Sequence, residues 1–364
     1  MEDKSLAAVL EESGKVTLRN FPVPDIGPDE ALLKVEMVGI CSTDVKIYQG
    51  KITTFPLPLI MGHETVGSIA RIGSNAARKW GVREGDRVVV EGNISCGACE
   101  PCLTGNYRVC RNQLGYGLRT SCDVPPHLWG AYSQYMYIAP GSVVHEINEN
   151  VPLKAGVLIT AVIGNGVQWV CFLGGARIGD TVLIQGMGVQ GLSAIVAARE
   201  AGAKQVIVSG LSSDRERFGL ASRLGADYVI AVDEVDLVGR VTELTDSRGV
   251  DVVLDVTGSA VSFGWALEAV RKQGTVVEAG LIGGDAQVPV ILDRMVQKEI
   301  RVQGALSKGY DGVAAAIAIV ESGKYALEEM VTAEYSLSDC ERALQMAGGE
   351  GDGRPLKVVL NPWG

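Results

Sequence analysis

From residue 181 onward, short runs of β-branched and other apolar residues alternate with longer stretches of mixed character. The runs are Thr181 to Gln185, Gln205 to Ser209, Tyr228 to Ala231, Asp251 to Asp255, Thr275 to Ala279 and Ile300 to Gly304. This alternation predicts βα units feeding a parallel sheet, and six strands is the number in a doubly wound dinucleotide-binding fold. Before residue 150 the texture differs. Pro and Gly are scattered among strand-like segments such as Ala31 to Val38 and Arg87 to Val90, and helical periodicity is sparse. That half reads as an irregular, mostly antiparallel β domain. The last sixty residues offer helix-like stretches at Val313 to Glu321 and Ser338 to Ala347, then a strand-like Leu356 to Leu360, and their pattern suits either domain.

Two stretches approach the length of a membrane span: no charge falls between Lys154 and Arg177, or between Asp180 and Arg199. Gly164, Asn165, Gly166 and Gln168 interrupt the first, and Gly186, Gly188 and Gly191 the second, so both are expected to be buried elements and no membrane partner is expected. The charged N-terminus lacks the apolar run of a leader peptide, which points to a cytoplasmic protein.

Within the 364 residues, 33 Lys and Arg stand against 43 Asp and Glu, a net charge of −10. A nucleic-acid partner is not expected, because phosphate backbones are bound by basic surfaces. Of the eight cysteines, Cys96, Cys99, Cys102 and Cys110 lie within fifteen residues. Four thiolates on one short segment satisfy a closed tetrahedral zinc site, which leaves no open position and is therefore structural. An iron–sulfur site shares the leading spacing, but its fourth cysteine usually follows sooner and precedes proline.

The segment Gly186-Met187-Gly188-Val189-Gln190-Gly191 follows the run Val182 to Ile184 and opens the helical stretch Leu192 to Arg199. Placed there, its glycines permit a tight turn, close approach of backbone to pyrophosphate, and tight helix-on-strand packing. At the end of the second run, where a carboxylate would grip the ribose 2′-hydroxyl of NAD, the chain has Gly210. That gap leaves room for a 2′-phosphate, with Ser212, Ser213 and Arg215 as donors. The local chemistry leans toward NADP, with Asp214 as the residue that would reverse the lean. A looser group is Cys41-Ser42-Thr43-Asp44 with Gly62-His63-Glu64 about twenty residues on. A thiolate, an imidazole and a carboxylate with water would make an open zinc site, although a core histidine satisfied by its neighbours fits the same spacing.

Together these motifs, with Leu224-Gly225-Ala226-Asp227, resemble the zinc-dependent medium-chain alcohol dehydrogenase superfamily from about Val16 to Leu360. The resemblance implies an α/β fold: a GroES-like β-rich catalytic domain over residues 1–166 and 306–364, with a zinc lobe near 92–113, and a Rossmann doubly wound parallel sheet over 167–305. It also implies that Cys41 and His63 hold a catalytic zinc with Glu64 as an adjacent or exchanging ligand. By the same resemblance Thr43 takes the alcohol proton, and Asp44 orients the site. Lys46 stands where many relatives keep a relay histidine, and Lys357 matches a basic residue near the cofactor phosphates.

The implied activity is reversible hydride transfer between a secondary or cyclic alcohol, or a polyol, and NAD(P), in a homodimer or homotetramer. A zinc-independent reductase of an activated C=C bond, or a nucleotide-binding relative without turnover, would share this fold. Two departures matter. Ala161-Val162-Ile163-Gly164-Asn165-Gly166 offers no charged third zinc ligand where many relatives have one. The segment Gly115 to Trp129, with Cys122, Pro125, Pro126, His127 and Trp129, is longer than in simple relatives. It reads as a surface loop or as a wall of the substrate pocket whose His127 approaches the metal.

Overall fold

A computed structural model describes residues 3–112, 114–283, 286–351 and 353–364. The expected lobe boundary at 113 lies outside them. The chain divides into two compact units, one of Met1–Ala161 with Leu327–Gly364, the other of Val162–Ala326.

In the first unit Ala31–Gly39 is the central strand. It pairs antiparallel with Glu64–Ile72, with Tyr135–Ile138 and with the C-terminal Val358–Asn361. Every one of Ala31, Leu32, Leu33, Val35 and Val38 is fully buried, and such burial stabilises by roughly 2 kcal/mol for each large side chain. The sheet continues through Arg87–Val90 and Val144–Glu146 on one side and Ala333–Ser336 on the other. A smaller sheet joins Lys15–Pro22, Lys4–Glu12 and Leu59–Ile60. The strand-like tail, whose pattern alone suited either domain, is thus part of the first unit's sheet.

The second unit holds six parallel strands. Their order is Tyr228–Ala231, Gln205–Gly210, Thr181–Gln185, Val250–Asp255, Val270–Glu278 and Arg301–Gly304. In chain order this is 3-2-1-4-5-6, the doubly wound arrangement, whose switch point lies between the first and fourth strands. Leu183, Ile207, Val253 and Val276 fill the sheet's core. The fifth strand starts at Val270 rather than Thr275, because Val250 already pairs with Val270 before a register irregularity.

The return to the first unit comes after Ala326, not at residue 306. The helix Tyr310–Glu321 packs against Gly164–Val167 of the second unit, with Gly312 against the Gly164 carbonyl. Among the described residues one helical stretch, Leu153–Leu173, is long and apolar enough to cross a membrane. Its apolar window is 78% buried, as packing against the protein requires.

Candidate active site

Cys41 caps the N-terminus of the helix Ser42–Tyr48. Its backbone N–H donates to Asp44 Oδ2 at 2.8 Å, which fixes the Cys41 side chain relative to the first turn. Asp44 is fully buried, and the same oxygen accepts the Tyr132 hydroxyl at 3.0 Å. Its other oxygen lies 3.6 Å from His63 Nδ1. Burial alone would pull the His63 imidazole down, but the Asp44 charge, with help from Cys41, lifts it to about 9. A carboxylate behind a histidine in this way both orients the ring and makes it a better ligand.

His63 directly precedes the strand Glu64–Ile72, whose first residue turns a buried carboxylate into the same space. The ligand atoms of Cys41, His63 and Glu64 all lie within 4.8 Å of one another. His63 Nδ1 makes no hydrogen bond. One sulfur, one nitrogen and one oxygen so placed fit an ion of zinc's ligand preference with a position left for water or substrate. Glu64 is also ion-paired to Lys357, whose ammonium donates to the Ile40 carbonyl at 2.9 Å. Lys357 is therefore committed to the Glu64 carboxylate, rather than free for cofactor phosphates. Gly39 makes this pair possible, since a side chain there would strike both partners. Thr43 and Lys46 follow on the same short helix, three residues apart and so on one face; both are half-buried.

Ala161 carries no ligand atom and Asn165 only a neutral amide, and His127 joins no metal-capable cluster among the described residues. The His127 ring stacks on Phe21, and its Nδ1 lies 2.8 Å from the Cys122 carbonyl oxygen. The segment around it is no free surface loop. Tyr116, Cys122 and Leu128 are buried in the core, and Trp129 meets Tyr137 edge-on.

In the cysteine lobe, Cys99 Sγ lies 3.5 Å from Cys102 Sγ and 3.8 Å from Cys110 Sγ, and Cys96 Sγ lies 4.0 Å from Cys102 Sγ. A tetrahedron with zinc–sulfur bonds of about 2.3 Å has sulfur–sulfur edges of about 3.8 Å, so the four thiols fit the ion. The backbone N–H groups of Ala98 and Cys99 bring the Cys96 thiol down to about 6, toward the thiolate that a metal needs. The lobe is tied to the sheet through buried Glu91, which accepts the Tyr107 hydroxyl at 2.8 Å and lies 2.9 Å from His145 Nε2.

In the second unit the glycine loop joins Thr181–Gln185 to the helix Val189–Glu200, with Gly188 as the N-cap. Gly186 has φ +115°, and a side chain at Gly191 would strike the Gly186 carbonyl. Beside Gly188 a Cβ would meet open space, as phosphate approach requires. A cavity of about 430 Å³ is lined by Gly186, Met187, Gly188, Gly210, Asp214 and Thr257, among others.

Two of the donors expected for a 2′-phosphate already have partners. Ser212 donates its hydroxyl and backbone N–H to Asp233, and Arg215 pairs with Glu234 at 2.7 Å. The Asp214 carboxylate instead stands 3.3 Å from where a Gly210 Cβ would be, and is held by Leu211 N–H and Arg217. A carboxylate from four residues further on thus fills the place that position 210 leaves empty. The backbone turn after the strand puts it there, and Asp214 is the residue that the sequence offered as the one to reverse the NADP lean.

Comparison with known proteins gives two family-model matches: the alcohol dehydrogenase GroES-like domain over residues 27–149 and the zinc-binding dehydrogenase domain over residues 190–322. The chain is 39% identical over 363 residues to a Mycobacterium tuberculosis protein named probable alcohol dehydrogenase, covering 98% of each. It is 31% identical to the sorbitol dehydrogenase of Bacillus subtilis, covering 98% of this chain and 97% of that one. Among solved structures, a candidate zinc-binding dehydrogenase from Sinorhizobium meliloti bound to NADP superposes with a TM-score of 0.87 at 27% identity. That match covers 99% of this chain and 100% of the other.

Proposed function

The chain belongs to the zinc-dependent medium-chain alcohol dehydrogenase superfamily, and from that membership we propose that it oxidises a secondary alcohol or polyol reversibly with a nicotinamide cofactor. The observation that carries this reading is the convergence of Cys41, His63 and Glu64 ligand atoms within 4.8 Å, backed by buried Asp44. Zinc bound there supplies the positive charge that lowers the pKa of a substrate hydroxyl, and the nicotinamide supplies the hydride acceptor. Cys41, His63 and Glu64 hold the ion, with Glu64 standing in for the charged ligand that Ala161 and Asn165 do not provide. Asp44 holds the His63 ring and, through the Cys41 backbone, the cysteine as well. Thr43 takes the substrate hydroxyl proton and gives up its own to solvent, and Lys46 stands on the same helical face. The glycine loop and the N-terminus of Val189–Glu200 bind the cofactor pyrophosphate.

For the 2′-position the reading is NAD. Asp214 lines the cavity, and a carboxylate there accepts from a ribose hydroxyl and repels a phosphate. The cysteine lobe holds a second, structural zinc. Arg301–Gly304 is the edge of the six-stranded sheet, and Leu281, Ile291, Leu292, Val296, Val302 and Leu306 expose apolar surface close to it in sequence. An unpaired edge beside such surface suits antiparallel pairing with a second copy, a self-complementary dimer contact.

The test is turnover of a panel of secondary alcohols and polyols with NAD and NADP, with zinc counted by mass spectrometry on the same preparation. Two zinc ions per chain and oxidation of at least one such alcohol are expected. A fully active protein with one zinc would overturn the metal mechanism.

A further inference from the structure

A cavity of about 590 Å³ opens in the second unit at the amino ends of the fourth and fifth strands, Val250–Asp255 and Val270–Glu278. Arg248, Arg271, Lys272 and Lys298 line it, with the hydroxyl-bearing Thr242 and Ser247. Four cations around one hollow run against the net charge of −10 that the whole chain carries. The volume falls among those of small-molecule sites, about 300–1,000 Å³. The cofactor cavity lies at the other end of the same strand. Val250–Asp255 starts just after Arg248 and Gly249 and leads into Val256 and Thr257, which line that second cavity. Six residues of strand separate the two by roughly 20 Å.

The fold gathers these cations without neutralising them one by one. Arg248 and Arg271 both donate to Asp251, at 2.6–2.9 Å, so one carboxylate answers two guanidinium groups. Asp180 acts on Arg248 more weakly than Asp251 does. Lys298 donates to the Leu267, Glu268 and Val270 carbonyls at 2.6–3.0 Å, which uses its three N–H groups and leaves its charge. Glu268, the acidic residue in the lining, is ion-paired with Arg294. Lys272 is exposed and joins no ion pair among the described residues. Asp180, Asp251 and Glu268 thus face five cations. The backbone is strained at the same place. Asp246, Ser247, Gln273 and Glu299 are four of the five non-glycine residues with positive φ among the described residues, and they fall in the segments that supply the four lining cations. Strain of this kind clusters at ligand clamps.

We infer that this cavity binds an organic phosphate carrying two or more negative charges, at a site separate from the cofactor's. Such a ligand matches a surplus of more than one positive charge and offers several acceptors to the guanidinium and hydroxyl donors, whereas a monocarboxylate brings a single charge. The site stands apart from the alcohol chemistry, so the inference does not depend on the dehydrogenase reading.

The experiment is calorimetric titration with fructose 1,6-bisphosphate, and with fructose as its neutral counterpart, in the presence and absence of saturating NADH. Wild type, Lys272→Glu and Arg271→Gln are compared at low ionic strength and again with added potassium chloride. NADH affinity is measured by fluorescence, and melting curves check each variant's fold. The wild type should bind the bisphosphate with a Kd below about 1 mM and ignore fructose, and added salt should weaken binding. Lys272→Glu should raise that Kd by roughly tenfold or more, with NADH affinity and turnover unchanged. Arg271→Gln should weaken binding as well. Because it also takes a partner from Asp251, the decisive variant is the exposed Lys272→Glu.

The absence of saturable binding would overturn the assignment, as would a Kd that Lys272→Glu moves by less than about threefold. Displacement of NADH by the bisphosphate would place the anion on the glycine loop and overturn it too. A protein that binds no NADH yet holds the bisphosphate through Lys272 refutes the nicotinamide reading and supports this site.

Discussion

At Cys41 and His63 the consequence of substitution should be chemical rather than structural. Cys41→Ala or His63→Ala removes a ligand from a site worth several kcal/mol of transition-state stabilisation, so kcat/KM should fall by at least about 10³-fold. Zinc content should drop from two per chain toward one, while the melting temperature stays within a few degrees, read by calorimetry on the same samples. Asp214 governs a different property. Asp214→Asn should lower the preference for NAD over NADP by roughly tenfold, since it removes a charge that repels the 2′-phosphate but keeps the hydrogen-bonding shape. An unchanged ratio of kcat/KM for the two cofactors would refute that role. At this scale the sequence was only partly legible. Cys41, His63 and Glu64 stood out by type and spacing. The Tyr132 hydroxyl on Asp44 joins positions 88 residues apart, and no local pattern announces it. The Lys357 pairing with Glu64 was hidden for the same reason.

Among the elements, the cysteine lobe and the fifth strand carry separate expectations. Cys99→Ser should empty the structural site, because metal binding to such a lobe is folding free energy. A loss of about 3 kcal/mol would lower the melting temperature by roughly 5–10 °C, and zinc content should fall by one without touching the ion at Cys41. Glu278 ends the strand Val270–Glu278 beside Asp255 of the neighbouring strand. Burial, then the Asp255 charge, raises its carboxyl to about 7, while the Gly280 N–H opposes the shift. The folded protein therefore holds this proton longer than the unfolded chain does. Stability on this account falls as pH rises from the ordinary carboxylate value of 4.5 toward 7 and is lowest above it. Glu278→Gln should raise the melting temperature at pH 8 and leave it nearly unmoved at pH 4, which calorimetry at both values checks.

The strands themselves were legible where β-branched runs are uninterrupted. The start of this fifth strand was not, because Arg271, Lys272 and Gln273 interrupt the apolar pattern, and only pairing with Val250 makes its first residue a strand.

On the scale of the whole molecule, the two-part architecture was readable from the change in texture near residue 150, and the doubly wound order followed from six runs in βα alternation. The second boundary was misplaced by about twenty residues. Sequence pattern shows that Tyr310–Glu321 is a helix but not which unit its apolar face covers. Gly312, packed on Gly164, decides that only in three dimensions. For assembly, light scattering should give at least twice the 38.4 kDa chain mass. Val296→Lys together with Leu292→Asp, on the exposed face beside the edge strand, should shift the protein to monomer with its zinc retained. A wild type that elutes and scatters as a monomer at micromolar concentration would refute the dimer contact.

The account turns on an ion held by Cys41, His63 and Glu64, and an anomalous difference map at the zinc edge, from crystals of fully active enzyme, tests it most directly. Two peaks per chain are expected, one amid the four lobe sulfurs and one within about 2.3 Å of Cys41 Sγ and a His63 ring nitrogen. A single peak in the cysteine lobe, from enzyme that oxidises its alcohol at full rate, would contradict the mechanism.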